Sequence, residues 1–229
     1  MRGPSVFPPQ NDRACLLRSL VPALVLAVLT GACSSGPAPA TFDLSAPTSR
    51  IRGAAGVQIL VNEPAALQAL ATQQILVKDS SGSVSFIGGG QWADNLPRLI
   101  QTRLINTFEN ASQLRGVSRP SSGAVADVQL ISELRRFEIA TPDNEAVAEI
   151  AVKIVSDQTG RIVNGRIFRA SVPASAVDAP NAARALDEAL SIMMLDIVRW
   201  VSTSHLPRRE DPGDAGSQSQ LSSKDQAPT

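Results

Sequence analysis

The 229-residue sequence is 43% apolar, which is enough to form a core of ordinary size in one domain. Lysine and arginine balance aspartate and glutamate at 21 each, so the chain lacks the broad positive charge on which nucleic-acid binding depends. Aromatic residues make up 3% and tyrosine is absent, which leaves few platforms for stacking on bases or sugars. The composition therefore argues against a nucleic-acid partner.

The amino-terminal residues predict a secretory signal peptide that ends at a lipid anchor. Three arginines precede the apolar run Leu20–Leu29, which is too short to span a bilayer because a span needs about 20 residues. The sequence Leu-Thr-Gly-Ala-Cys that ends at Cys33 resembles the bacterial lipobox, in which a signal peptidase cuts before a cysteine that carries diacylglycerol. The alternative is an ordinary signal peptide with an incidental cysteine. Cys15 and Cys33 are the two cysteines, so no disulfide framework or cysteine-based metal site is expected in the mature domain.

Cleavage before Cys33 defines the expected organisation of the chain. A signal peptide, a flexible tether, a folded domain and a disordered tail are expected at residues 1–32, 33–41, 42–205 and 206–229. Acyl chains on Cys33 anchor the domain to a membrane. Ser34 follows the anchor in place of the aspartate that retains lipoproteins in the inner membrane of enteric bacteria, which favours the outer membrane.

Three strands are predicted at the start of the mature domain. The apolar runs Val57–Pro64, Gln73–Asp79 and Ser83–Gly90 are typical of buried strands. Asp79-Ser-Ser-Gly82 joins the last two, and this turn chemistry predicts a hairpin. Gly88-Gly-Gly90 favours a flexible strand-to-helix turn over a phosphate-binding loop, because the Lys-Ser/Thr ending of such a loop is missing.

From Trp92 onward the apolar residues recur at the spacing of a helix. One face of this helix is expected in the core, and it carries Ala93, Leu96, Ile100, Leu104 and Phe108. The pattern predicts a helix over 95–110, with Asp94 or Asn95 as its N-cap and Pro97 in the first turn, where proline is tolerated.

The second half of the domain predicts a meander of three long strands. A short edge strand at Gly116 precedes them, and the strands themselves cover Ala126–Thr141, Glu145–Asp157 and Gly160–Val172. Asp157-Gln-Thr-Gly160 forms a tight turn between the last two. Arg135-Arg136 disturbs the alternation of the first strand, as a bulge would.

A closing helix over 179–203 completes the predicted fold. Asp178 is its expected N-cap and Pro180 lies in its first turn. Its apolar face carries Leu186, Leu190, Met193, Ile197 and Val201. The element order β-β-β-α-β-β-β-β-α predicts a single α+β domain, in which two main helices pack on one face of an antiparallel sheet.

Residues that could carry catalysis or bind a metal are scarce. The one histidine, His205, follows the last helix, so neither a histidine-rich metal site nor a Ser-His-Asp triad is supported. Paired carboxylates could act as acid and base, but acidic residues on these strands are more typical of a solvated sheet face: Glu133, Glu138, Glu145 and Glu149. The strand arginines, which are interleaved with acids, are interpreted in the same way: Arg135, Arg136, Arg161, Arg166 and Arg169. The sequence therefore predicts no enzyme, no metal site and no cofactor.

The stretch Gly89-Gly-Gln-Trp-Ala-Asp-Asn-Leu-Pro-Arg-Leu-Ile-Gln101 resembles the signature of the ABC-type transport auxiliary lipoproteins. That signature is a Trp-Ala-(acid)-x-Leu-Pro-x-Leu motif that opens a helix. Flanking stretches agree with the family at Thr41 (TFDL), Val61 (VNEP) and Ile131 (ISELRRFE). The resemblance covers Phe42 to Ser202, nearly all of the predicted domain.

The resemblance implies a non-enzymatic, periplasm-facing lipoprotein of a Gram-negative lipid-transport system. Its implied partners are an ABC ATPase, a permease and a substrate-binding protein of the MCE (mammalian-cell-entry) type, and a homo-oligomer is a further expectation. The chain has no Walker motif, so the energy for transport must come from the partner ATPase. Two other functions stay open, namely a lipoprotein that itself carries an apolar ligand between sheet and helices, and a structural envelope lipoprotein.

Trp92 at the predicted helix start has two interpretations. In the first, its ring belongs to the core. In the second, Trp92, Asn95 and Arg98 form a partner-binding surface, because Trp and Arg are favoured interface anchors.

Overall fold

The computed structural model describes residues 38–51, 56–111 and 116–208. The predicted signal peptide, the anchor Cys33 and the tail beyond Arg208 lie outside this part of the chain. The described strands are β1 (Ala40–Phe42), β2 (Gln58–Val61), β3 (Ala65–Ala66), β4 (Gln74–Lys78), β5 (Val84–Trp92), β6 (Gly116–Ser118), β7 (Val128–Ala140), β8 (Glu145–Ser156) and β9 (Ile162–Pro173). The two helices are α1 (Leu96–Ala111) and α2 (Ala179–Thr203), and a single 3-10 turn covers Pro120–Ser122.

Strand β7 lies at the centre of one mixed sheet. Along one edge β7 pairs antiparallel with β8 over its full length. Along the other edge it pairs parallel with β2, β3 and β4 in succession. Beyond these neighbours, β6 joins β2, β5 joins β4, β1 joins β5 and β9 joins β8. The predicted α+β class with two main helices is confirmed, and the parallel pairs are an addition that the sequence did not predict.

The core lies between this sheet and the two helices. Alternate residues of β8 from Ala146 to Ile154 point into it, as do the apolar residues of β7 before and after the bulge. The predicted apolar face of α2 is confirmed, since Leu186, Leu190, Met193, Ile197 and Val201 are each at most 1% exposed. Neither described helix combines the length and the hydropathy of a membrane span.

The predicted bulge in β7 and the predicted N-cap of α2 are confirmed. The pairing of β7 with β8 shifts register between Leu134 and Arg136, where the sequence predicted a bulge. The carboxylate of Asp178 accepts a hydrogen bond from the backbone N–H of Asn181 at 2.9 Å and caps α2. This bond, together with one from the Asn181 side chain, lowers the pKa of Asp178 below its usual value.

The prediction of a flexible turn at Gly88–Gly90 is wrong, because β5 runs through all three glycines to Trp92. Gly90 is buried where β1, β5 and the start of α2 meet. A Cβ atom on Gly90 would lie 2.4 Å from the Cβ of Ala179 and 2.7 Å from Cε2 of Phe42. Glycine is therefore required at position 90 for close packing, not for flexibility.

Strand β1 begins inside the segment that the sequence assigned to the tether. Ala40 and Thr41 pair parallel with Gly90 and Gln91 of β5. A strand of three residues is too short to show the alternation by which strands are recognised, so no local pattern predicts it. The ordered domain thus starts at or before Ala40.

Replacing Gly90 with alanine tests this close approach. We expect Gly90→Ala to lower the free energy of unfolding by about 1–3 kcal/mol, because the new methyl group overlaps Ala179 and Phe42. Gly88→Ala is the matched control, since a Cβ there meets nothing within 4 Å, and its effect should stay within about 0.5 kcal/mol. Urea unfolding of both variants measures the difference, and equal stability of the two would contradict the packing role of Gly90.

Candidate functional site

Trp92 is the last residue of β5, and its side chain is 1% exposed. Its ring lies against that of Phe137 from β7, with 5.6 Å between the ring centroids. The backbone N–H of Trp92 donates to the carbonyl of Gln73 at 2.7 Å, and the next N–H donates to the carbonyl of Phe42 at 2.7 Å. The structure thus places Trp92 in the core, in agreement with the first interpretation, and its ring is not on the surface.

Asn95 and Arg98 lie closer to solvent than Trp92. The half-buried Asn95 donates from Nδ2 to the carbonyl of Ala71 at 3.0 Å, so its side chain holds the loop before β4. Arg98 is exposed and its Nη1 lies 3.6 Å from Oδ1 of Asp94. An exposed pair of this kind contributes little to stability. Of the three candidate partner-binding residues, Arg98 has the most exposed side chain.

The segment that follows β1 is fastened to both helices by acidic side chains. Asp43 forms an ion pair with Arg103 of α1 and accepts the N–H of Leu44 at 2.8 Å. Partial burial raises the pKa of Asp43, but the hydrogen bonds from Arg103 and Leu44 outweigh it and leave the pKa below its usual value. Ser45 donates from its backbone N–H and its hydroxyl to Asp187 of α2, at 2.6 and 2.8 Å. These bonds hold the segment after β1 against both helices.

One predicted solvent-facing acid, Glu138, lies instead in a buried position. Its side chain is 4% exposed, and Oε1 accepts a hydrogen bond from Nε of Arg136 at 2.6 Å. Leu76 and Val147 are its neighbours on the flanking strands, in register with it. The interpretation of Glu138 as a solvated residue is wrong because the bulge and two apolar neighbours enclose it. A carboxylate that is already paired with arginine serves the fold and is not a free acid or base.

The sheet face away from the helices carries an open groove of about 750 Å³. Its apolar lining comes from β3, β7 and β8 and the residue after β3, namely Ala65, Ala66, Leu67, Ile131, Leu134 and Ala151. Glu133 and Arg135, which form an exposed ion pair at 3.5 Å, and Lys153 add charge at its rim. Apolar lining with a few charged groups is typical of a binding surface.

The residues that the structure describes form no cluster suited to a metal ion. Within them, no three His, Cys, Asp or Glu side chains come close enough together to hold a metal ion. His205 is exposed and follows the end of α2. The described residues form an α+β domain with a filled core. The segment after β1 is fastened to both helices, and the opposite sheet face carries an apolar groove suited to binding.

The chain belongs to the family of ABC-type transport auxiliary lipoprotein components, whose sequence model matches residues 41–198. The match begins within β1 and ends within α2, so it covers nearly the whole sheet, all of α1 and most of α2. The resemblance drawn from the Trp92 motif is thereby confirmed. By its description, this family consists of auxiliary lipoprotein components of ABC-type transport.

Two solved structures agree with this fold. The crystal structure of protein XCC0632 from Xanthomonas campestris matches with a TM-score of 0.67 at 22% identity, covering 78% of this chain and 98% of that one. A second solved structure, of an uncharacterized protein, matches with a TM-score of 0.55 at 14% identity, covering 72% and 99%. These two likenesses are of fold alone.

A relative in sequence is the uncharacterized protein bll6063 of Bradyrhizobium diazoefficiens. It is 34% identical over 176 residues, which cover 73% of this chain and 47% of that protein. The chain thus spans about half the length of this relative.

Truncating Trp92 tests its place in the core. We expect Trp92→Ala to cost about 3–5 kcal/mol of unfolding free energy, because a fully buried ring that packs on Phe137 is lost. Arg98→Ala, the control at an exposed position in the first turn of α1, should change stability by no more than about 0.5 kcal/mol. Thermal and urea unfolding of both variants supply the comparison. A Trp92→Ala domain as stable as the parent would show that the ring is not a core residue.

Proposed function

We propose that this chain is the non-enzymatic, lipid-anchored and periplasm-facing component of an MCE-associated ABC transport system. In this proposal the system moves phospholipid or similar apolar molecules between the inner and outer membranes. The observation that supports it is the family match over residues 41–198. The proposed partners are an MCE-type substrate-binding protein, the permease and the ATPase that supplies the energy.

The proposed anchor is Cys33, on the outer membrane. Cys33 precedes the first residue of β1, Ala40, by seven positions. A fully extended chain of that length reaches at most about 25 Å. The acylated protein would therefore hold its folded domain close to the membrane surface, within reach of a complex that crosses the periplasm.

Docking to protein partners is favoured over carriage of a ligand between sheet and helices. Trp92, Phe108 and Phe137 fill that interior, and each is at most 1% exposed. A ligand there would have to displace well-packed aromatic side chains, at a cost of several kcal/mol. Among the described residues, Arg98 and the groove on the opposite sheet face are surfaces available for binding.

Carriage of lipid on the outer sheet face is the second candidate function. The apolar groove between Leu67, Ile131 and Ala151 supports it, since its size of about 750 Å³ is that of a small-molecule site. Such a carrier would bind lipid without needing the ABC partners.

Affinity purification from detergent-solubilised membranes separates these functions. A tag at the carboxyl terminus leaves Cys33 free for acylation, and mass spectrometry identifies the recovered proteins and lipids. Recovery of an MCE protein with its permease and ATPase is the expected result. Lipid without these proteins would favour the carrier, and recovery of neither would contradict both functions.

The proposed anchor predicts a change in membrane attachment. We expect Cys33→Ser to move the protein from the membrane fraction to the soluble periplasmic fraction, because serine cannot accept the thioether-linked diacylglycerol. Cys15→Ser, in the expected signal peptide, is the matched control and should leave attachment unchanged. Fractionation and mass spectrometry of the mature amino terminus measure the outcome, and a Cys33→Ser protein that stays acylated would refute the anchor.

A further inference from the structure

Strand β9 forms an open edge of the sheet. It pairs with β8 along one side over most of its 12 residues, and within the described residues no strand pairs with its other side. An open edge presents a row of backbone N–H and C=O groups to which an extended segment can add as a further strand. At 12 residues, β9 is long enough to take a partner strand of ordinary length.

The first half of β9 extends beyond the cover of the helices. Helix α2 covers the strand as far as Phe168, whose ring makes an edge contact with Trp200 at 5.4 Å between centroids. Every residue of 162–167 is exposed, and the apolar residues Ile162, Val163 and Ile167 are 61%, 40% and 55% exposed. Apolar side chains beside an unpaired edge are typical of a surface that a partner covers.

The same edge carries four cations and has one acid in register with them, Glu149 of β8, which lies opposite Arg169. Arg166 and Arg169 belong to β9, which contains no acidic residue, and Arg161 precedes it, while Lys153 lies on β8 opposite Gly165. Of these four side chains, none forms an ion pair with a carboxylate of the described residues. Arg166 instead lies over the ring of Phe168, with 5.1 Å from Cζ to the ring centroid.

The arginines on β7, which lies beyond β8, show the contrast. Arg135 is ion-paired with Glu133 and Arg136 with Glu138, both within β7. The sequence interpretation of all five strand arginines as diluted by acids thus fits β7 and Arg169, which faces Glu149, but it does not fit Arg161 and Arg166. The cations without an ion pair thus lie at the sheet edge whose backbone N–H and C=O groups also lack a paired strand.

We propose that the free edge of β9 binds an extended acidic segment of another protein as an added strand. Backbone hydrogen bonds supply the attachment, Ile162, Val163 and Ile167 pack against its apolar side chains, and its carboxylates meet the arginines. Arg166 and Arg169 are three residues apart and therefore lie on opposite faces of the sheet. A matching segment carries acidic residues on both of its faces.

The charge also selects against self-association through this edge. A second copy of β9 would bring the same arginines against the first, and like charges on neighbouring strands are destabilising. Charge on an edge strand is a common device against edge-to-edge aggregation, and it leaves the edge open to a partner of opposite sign. The proposed occupant is therefore a different protein, whether or not that protein is the MCE component of the proposed function.

Site-specific photo-crosslinking in intact cells tests the inference on the full-length protein. A photo-reactive amino acid replaces Val163 on β9, or Ile192, an exposed apolar residue of α2 that serves as control. Peptide mapping of the products identifies the crosslinked segment. We expect Val163 to crosslink to an acidic segment of another protein at least tenfold more than Ile192 does.

Charge reversal gives the second readout. Arg166→Glu with Arg169→Glu should reduce the Val163 product at least tenfold, while Arg199→Glu on the exposed face of α2 leaves it unchanged. Circular dichroism and thermal unfolding confirm that each variant is folded. A product that joins two copies of this chain, a segment without acidic residues, a yield no greater than that of Ile192, or no response to charge reversal would each overturn the inference.

The result is separable from that of the affinity purification. Recovery of the transport proteins without a β9 crosslink would leave the proposed function intact and refute the inference. A β9 crosslink to an acidic segment of a protein outside any transport system would support the inference and count against the proposed function.

Discussion

Pairing of β7 along both of its edges is the constraint on which the rest of the structure depends. Antiparallel pairing with β8 fixes the register of the meander, and parallel pairing with β2, β3 and β4 brings the amino-terminal half of the chain into the same sheet. Both helices then cover one face, and the opposite face stays open. Because β8 takes one edge of β7, β9 becomes an outer strand with an edge of its own.

Short-range patterns in the sequence predict most elements but not their long-range arrangement. The spacing of Leu186, Leu190 and Met193 defines α2, and Asp178 with a proline two residues later marks its start, because caps and helical periodicity are local properties. The parallel pairs of β7 join residues about 60 to 70 positions apart, and no local pattern encodes them. Strands β1 and β3 have three and two residues, too few to show alternation.

The candidate site was only partly predictable for the same reason. Trp92 had two interpretations because its burial depends on Phe137, a residue 45 positions away on β7. Glu138 is buried by a bulge and by a parallel neighbour, Leu76, neither of which changes the appearance of a glutamate in a strand pattern. The open edge of β9 follows from the strand order, so only the folded sheet shows that its arginines lie at an edge.

Charged side chains divide into two groups in this domain, and the division supports a docking role. Asp43, Asp178, Asp187 and Glu138 accept hydrogen bonds that fasten the segment after β1, the start of α2 and the sheet. The cations along β9 have no such acceptor among the described residues. The domain thus combines a filled interior with a charged, apolar and unpaired edge.

Hydrogen–deuterium exchange tests this account most directly. The full-length protein would be compared alone and in the purified transport complex, with amide exchange followed peptide by peptide. The account predicts slower exchange in residues 161–169 and in the groove strands, with α2 unchanged. Slower exchange confined to the helices, or faster exchange of the core strands as a ligand enters between sheet and helices, would contradict it.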